Sequence, residues 1–348
     1  MRYPEYLTDN GAIGFVAPSF GCATEPYRTA FENGQRIFKE KGHSLVLGPN
    51  CYEASGIGIS STPKSCGKEL TDSYVSPDSQ ILISCGGGEL MCEILDYVDF
   101  EKLRNARPKW YMGYSDNTNF TYLSPTLLDT AAVYGPCAAA FGMEPWHPSL
   151  EDAYRLLKGE IRQVAGYEKW EKESLKDADH PLVPYNVTEP AKLRCFLGAE
   201  EQNSCQTELE FSGRLIGGCM DCLVNLLGTV YDKTEDFTEK YKEDGFIWFL
   251  ESCDLNVFAV RRAVWQMKHA GWFRYVKGFL IGRPYCHGQE MMGLDQYRAV
   301  TGLLAEYEVP VIMDLDIGHL APMMPIICGG YGRVSVCGND VRIVYENR

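Results

Sequence analysis

KWYMGYSDNTNF, Lys109 to Phe120, puts a hydroxyl residue just past a short apolar run and just before what reads as the start of a helix. Two readings of Ser115 follow. It can be an ordinary N-cap, its side chain accepting a backbone N–H of the first turn. It can also be a nucleophile on a sharp strand-to-helix turn. There the Oγ projects beyond the sheet, and the backbone N–H groups that follow are aimed at a developing oxyanion. The usual elbow is G-x-S-x-G, and Asn117 stands in its last place, so the motif is half matched.

Working outward, the same strand-turn-helix pattern recurs. AIGFVAPSF reads as a buried strand that runs into a loop, YRTAFENGQRIFKEKG as a helix closed by Gly42, and SLVLGP as a second strand. QILISCGGGELMCEILDYVDF reads as strand, glycine turn and helix, and AVYGP as a further short strand. Strands alternating with helices over the first 150 residues imply a doubly wound parallel sheet.

From Tyr154 to Gln206 the composition shifts to charged, weakly periodic sequence. Order resumes with GRLIGGCMDCLVNLLGT, read as strand, Gly-Gly turn and helix. FIWFLESCD (strand), VFAVRRAVWQMKHAGWF (helix), VKGFLIGRP (strand), a helix near Gln296 to Tyr307 and VPVIMDLDIGH (strand) follow. The chain closes with a hairpin around Gly338-Asn339-Asp340. The expected division is 1–165 for an N-terminal α/β domain, 166–206 for a connection and 207–348 for a C-terminal domain.

Hydrophobic residues make up 45% of the 348, so the chain can bury real cores and is not a disordered polymer. The net charge of −14 argues against a nucleic-acid partner, which needs a basic face. No apolar run approaches the roughly 18 to 20 residues that span a bilayer. MRYPEYLTDN has no basic segment followed by an apolar stretch, so a cytoplasmic protein without a membrane partner is expected. The fourteen cysteines then read as reduced thiols. Cys219 and Cys222 have CxxC spacing, but no second pair accompanies them, and buried small hydrophobes is the plainer reading. No metal site is expected, since no HxxxH or HxxEH spacing occurs.

Reactive groups in an open α/β sheet sit beyond the carboxyl ends of parallel strands. Four such ends stand out: CGGG (Cys85 to Gly88), GYSD (Gly113 to Asp116), LESCD (Leu250 to Asp254) and DIGH (Asp316 to His319). Gly86 to Gly88 let backbone amides approach a ligand closely. They fit a phosphate cradle, a second oxyanion donor beside Ser115, or a plain tight turn, although neither G-x-G-x-x-G nor the P-loop lysine is present. Glu251 ends a strongly apolar strand, where a carboxylate is costly without a partner. Asp254 can cap the next helix. His319 is the one histidine at such a strand end. His43, His147, His180, His269 and His287 read as incidental, in loops or on polar helix faces. A carboxylate-oriented histidine that reaches a serine is the general way to activate a weak nucleophile.

Taken together and in this order, VAPSFG, SCGGGELMCEILDYVDF, KWYMGYSDNTNF, YGP, GRLIGGCMDCLVNLLGT, FIWFLESCD, GFLIGRP and DIGHLAPMMP resemble the LD-carboxypeptidase family of serine peptidases, family S66. The resemblance runs nearly end to end and is weakest in the middle. It implies an α/β fold: an N-terminal Rossmann-like or flavodoxin-like parallel-sheet domain plus a smaller C-terminal β/α domain of swivelling type. It implies Ser115 as nucleophile, Glu251 and His319 as its partners, and the amides of Asp116 and of Gly87 or Gly88 as oxyanion donors. A homodimer without a cofactor, acting on a small peptide or peptide-like substrate, is the expected form. Two subgroups are open. One removes the terminal D-alanine from murein tetrapeptides in cell-wall recycling. The other resembles the microcin C self-immunity peptidase, which cleaves an amide between an acidic residue and a nucleotide-like group. Asn117, where an aliphatic residue is usual, and Cys85 depart from the family pattern. Arg283 and Arg214 are candidates by position for a substrate carboxylate, or structural ion pairs. An α/β-hydrolase-like esterase and a non-catalytic two-domain binding module are the rival readings.

Overall fold

The computed structural model describes residues 1–203, 208–346 and 348. The chain divides into two compact units of nearly equal length, Met1–Ile161 with Glu173–Asn186 and Arg162–Lys172 with Val187–Arg348. This differs from the expected division. The 166–206 stretch is no free connection, because its parts are claimed by both units. Its strands are three or four residues long and mostly exposed or half-buried, too short to carry a readable period. The expected step from Gln206 to Thr207 lies outside the described residues.

The first unit is built on β1 (Ala12–Val16), β2 (Ser44–Leu47), β3 (Ile81–Ser84), β4 (Trp110–Gly113) and β5 (Ala132–Tyr134), all parallel. Their order, β2-β1-β3-β4-β5, is the flavodoxin-like winding. Alternate side chains of β1 face opposite ways. Phe15 meets Phe31 and Phe38 of α1 (Tyr27–Glu40) at ring distances of 5.2 and 6.0 Å. Val16 joins Leu70 and Tyr74 of α2 (Pro63–Val75), with Leu82, Tyr111 and Phe120, in a core on the other face. Helices thus cover both faces. The winding reverses between β1 and β3, and there two loops open at the carboxyl ends, 17–20 and 85–88. A cleft is expected at this point in such a sheet.

Two helical expectations are corrected here. The helix after β3 is a 3₁₀ segment, Met91–Tyr97, followed by α3 (Phe100–Asn105). The helix after β4 is broken into a 3₁₀ turn, Ser115–Asn117, then α4 (Thr118–Thr121) and α5 (Leu123–Leu128). Pro125 has no N–H to give to the carbonyl four residues back, which explains the break after Thr121. The unit's last helix is α6 (Pro148–Leu157).

The second unit opens with β6 (Gln163–Ala165), β7 (Lys169–Glu171), β8 (Val187–Pro190), β9 (Arg194–Leu197) and β10 (Glu200–Gln202). It continues through β11 (Glu208–Cys219), β12 (Phe246–Glu251), β13 (Val276–Gly282), the two-residue strands β14 (Glu290–Met291) and β15 (Leu294–Asp295), and β16 (Pro310–Leu315). It ends with β17 (Ile326–Cys328), β18 (Tyr331–Cys337) and β19 (Asp340–Glu346). The main sheet has the order β10-β9-β16-β13-β12-β11-β18-β19-β6. Strands β11, β12, β13 and β16 form its parallel centre, and antiparallel strands flank them. Helices α7 (Met220–Leu226), α8 (Thr234–Lys240), α9 (Val257–His269) and α10 (Gln296–Leu304) complete the unit.

The Gly-Gly turn expected at 217–218 is strand. Both glycines lie in β11 at φ 150° and 146°, and a side chain at Gly217 would overlap the Phe249 carbonyl of the neighbouring strand. Gly217 is there for close strand approach, which sequence alone does not separate from a turn.

Candidate active site

In the first unit, β4 delivers Gly113 to the sheet edge, and Tyr114 then leads into a residue that bends back. Ser115 has φ 62°, in the left-handed region, and is half-buried. A non-glycine residue held there stores strain, which points to function when it sits at a strand end. Its N–H donates to the Tyr134 hydroxyl at 3.1 Å, at the end of β5. The glycine turn after β3 lies against it. A Cβ on Gly87 would stand 3.0 Å from Ser115 Cβ and 3.2 Å from its Oγ, so the glycine lets backbone lie close to the hydroxyl without crowding it. A Cβ on Gly88, the other expected donor, would overlap Ser19 Oγ and press on the Gly58 carbonyl.

Asp116 is buried, and its carboxylate ties three segments together. Oδ2 accepts from Ser19 Oγ at 2.6 Å and from the Met91 N–H at 2.9 Å, and Oδ1 accepts from Asn119 Nδ2 at 3.0 Å. Burial pushes its pKa up to about 6, against the pull of those donors. Asn117 is wholly buried and donates from Nδ2 to the Gly86 carbonyl at 2.8 Å and the Tyr114 carbonyl at 3.1 Å. Sequence reading missed the roles of Ser19, Asn117 and Tyr134. The signals were that each polar residue sits beside a strand end and that Asn117 departs from the expected pattern after the serine.

In the second unit, Glu251 closes the fully buried strand β12. Its Oε2 accepts from His319 Nδ1 at 2.8 Å, with the carboxylate side chain 0% and the imidazole 12% exposed. Gly318, at φ 103°, makes this approach possible, since a side chain there would overlap the Glu251 carboxylate. Burial pushes His319 toward its neutral form. The Glu251 charge and the hydrogen bonds with Cys253 and Glu251 outweigh it, and the imidazole is held well above the ordinary histidine range. With Nδ1 given to Glu251, any proton transfer to a substrate falls to Nε2. The turn after Glu251 is pinned by Asp221, whose carboxylate accepts the N–H groups of Cys253 and Asp254 at 3.1 and 2.9 Å. Asp254 therefore does not cap α9. Asn256 does, accepting from the Ala259 N–H at 3.0 Å.

The two candidate arginines are structural. Arg214 grips Asp244 Oδ2 at 2.8 and 2.6 Å. Arg283 is paired with the Asp316 carboxylate and donates to the Asp314 carbonyl at 2.6 Å. His43 is a core residue rather than a surface one. Its ring nitrogens meet the Gly11 carbonyl at 2.9 Å and the Tyr154 hydroxyl at 2.8 Å, and that pairing allows its burial. The thiol of Cys219 donates to Asp221 Oδ2 at 3.2 Å. Among the described residues no group of three or more His, Cys, Asp or Glu is arranged to hold a metal ion. No disulfide forms among them, and no helix is long and apolar enough to cross a membrane.

This geometry can be set beside known proteins. A Vibrio cholerae relative, named provisionally as a carboxypeptidase, is 25% identical over 345 residues, covering 96% of this chain and 95% of its own. The murein tetrapeptide carboxypeptidase of Pseudomonas aeruginosa is 23% identical, covering 96% and 95%. Among solved structures, the microcin C7 self immunity protein MccF in complex with aspartyl sulfamoyl adenosine has the same fold, with TM-score 0.81, 21% identity and coverage of 100% and 99%. Residues 13–135 match the LD-carboxypeptidase N-terminal domain and residues 212–334 the LD-carboxypeptidase C-terminal domain. The chain belongs to the LD-carboxypeptidase family, peptidase family S66.

Proposed function

We propose that the chain is a serine carboxypeptidase that removes the terminal D-alanine from murein-derived tetrapeptides through Ser115, His319 and Glu251. The observation that carries this reading is the buried Glu251–His319 pair, 2.8 Å apart at strand ends, which makes the imidazole an oriented base. The strained Ser115 beside the glycine turn supports it as the nucleophile. The relationship to a murein tetrapeptide carboxypeptidase supports the substrate class.

In this mechanism the neutral form of His319, the minor form below its raised pKa, takes the Ser115 hydroxyl proton at Nε2 as Oγ attacks the amide carbonyl. The oxyanion is held by the Asp116 and Gly87 amides, each donor contributing on the order of 3 kcal/mol. His319 then returns the proton to the leaving amine, and the C–N bond breaks to give an acyl-enzyme. Water, deprotonated by the same imidazole, hydrolyses the ester and restores Ser115. Glu251 keeps Nδ1 protonated and offsets the imidazolium charge throughout. The protein's own groups supply each step of this scheme. A homodimer is part of the same proposal.

The test is mass spectrometry after incubation with murein tetrapeptides and, separately, with aspartyl-adenylate-like amides. Loss of D-alanine from the first is expected, and Ser115→Ala should abolish it with folding retained. Release of the nucleotide moiety alone would move the substrate to the class bound in the MccF complex. Wild-type turnover by Ser115→Ala would sink the mechanism.

A further inference from the structure

The three glycines at 86–88 pose a physical problem. A run of glycines has little preference between φ signs, so its peptide planes can turn over at small cost. An oxyanion donor needs the opposite, an N–H held in one direction before the reaction begins. Something outside the turn must fix it.

The structure shows what holds each plane. The Gly86 carbonyl accepts two hydrogen bonds, from Asn117 Nδ2 at 2.8 Å and from Ser84 Oγ at 3.0 Å. The Gly87 carbonyl accepts from the Phe20 N–H at 2.9 Å. Asn117 is itself immobilised. It is wholly buried, its Oδ1 accepts from the Tyr111 hydroxyl, and its Nδ2 also reaches the Tyr114 carbonyl at 3.1 Å. The Gly86–Gly87 peptide is not among the cis bonds of the chain. In a planar trans peptide, C=O and N–H point to opposite sides. A Gly86 carbonyl drawn toward the buried amide of Asn117 therefore turns the Gly87 N–H away from the core. Gly87 is also the residue that lies against Ser115 Oγ.

We propose that Asn117 is a positioning residue of the oxyanion site. It holds the Gly86 carbonyl and so sets the direction of the Gly87 N–H. This rests on Ser115 being the nucleophile, as proposed above, and adds a residue that the triad does not include. An aliphatic side chain at 117 has no donor to offer, and Ser84 alone would hold the peptide. The same asparagine spans the turn of the nucleophile and the turn of the donor, so it couples the two halves of the oxyanion site within one unit.

The test uses full-length Asn117→Asp and Asn117→Leu beside wild type and Ser115→Ala. Asn117→Asp keeps the shape, loses the donor and places a second acceptor against the Gly86 carbonyl. It also guards against a leucine variant that fails to fold. Two readouts are normalised to folded protein by circular dichroism: kcat and KM on a murein tetrapeptide, and the rate of labelling by a fluorophosphonate. In the labelling reaction Ser115 Oγ bonds to phosphorus and fluoride leaves. Removing an oxyanion donor outright lowers kcat about 10²- to 10³-fold, and misdirecting one should lower kcat and labelling about 10- to 100-fold. KM should move by less than about threefold, because the ground-state carbonyl gains little from the hole. A merely structural role would lower the folded fraction and leave kcat per folded molecule unchanged. That result, with Ser115→Ala inactive, overturns this proposal alone. Turnover by Ser115→Ala would overturn it together with the mechanism.

Discussion

Replacing Glu251 by glutamine isolates the charge of one buried carboxylate while keeping its size and an acceptor for His319. The pair is 2.8 Å apart and almost fully shielded from water, with side-chain exposures of 0% and 12%. Charge centres about 4 Å apart attract by about 4 kcal/mol at an effective dielectric of 20. The Glu251 charge is the leading influence that raises His319, against burial that lowers it. Without it burial dominates, and His319 should titrate below the ordinary histidine range instead of well above it. The sign for stability follows. A histidine raised in the folded state stabilises fully below its unfolded pKa, near 6.5, and that stabilisation is lost as pH climbs through the folded value. Glu251→Gln should therefore be less stable than wild type by about 3 kcal/mol at pH 6, within the range for broken buried pairs, and the gap should narrow toward alkaline pH. Imidazole NMR titration reads the pKa, and denaturant unfolding at several pH values reads the gap. An imidazole that titrates within half a unit of wild type, or a gap independent of pH, would refute the electrostatic account.

Two further outcomes follow from the nucleophile turn. Ser115→Gly should be inactive yet more stable than Ser115→Ala by about 1 kcal/mol. A left-handed residue with a Cβ is strained by about 1–2 kcal/mol, partly offset by the extra chain entropy of glycine. Equal stability of the two variants in urea titrations would remove the strain argument. For Asp116, the pKa is raised to about 6, so the folded state holds a proton that the unfolded chain has lost between about pH 4 and 6. Its contribution to stability falls as pH rises through that window, by up to about 3 kcal/mol. Asp116→Asn cannot ionise, so its stability relative to wild type should improve by that order between pH 4 and 7. A pH-independent difference in melting would contradict the assignment.

Much of the molecule is readable from local sequence. ILIS and WYMG are short, largely apolar runs that end at or just before glycine, and turn chemistry marks their ends without reference to any partner. Amphipathic stretches such as Val257–His269 carry their own period. The strand ends bearing Ser115, Glu251 and His319 were visible for that reason. Other features were ambiguous because local pattern serves two structures equally well. Gly217-Gly218 looked like a turn and is strand, since the deciding contact is with Phe249 on the next strand. The helix after Ser115 looked continuous and is broken. Arg214 and Arg283 looked available and are bound by Asp244 and Asp316.

What sequence determined by itself was the set of reactive residue types and their places at the ends of strands, because burial period and glycine punctuation act over a few residues. Only tertiary structure decided which of them meet. His319 and Glu251 are 68 positions apart, and Asn117 and Gly86 are 31 apart. Each pair is joined by a hydrogen bond that exists only once the sheet is assembled: Asn117 and Gly86 follow the adjacent strands β4 and β3, whereas Glu251 on β12 and His319 beyond β16 meet across the end of the intervening β13. Pairing at such separation depends on sheet order and register, and no local pattern along the chain carries either.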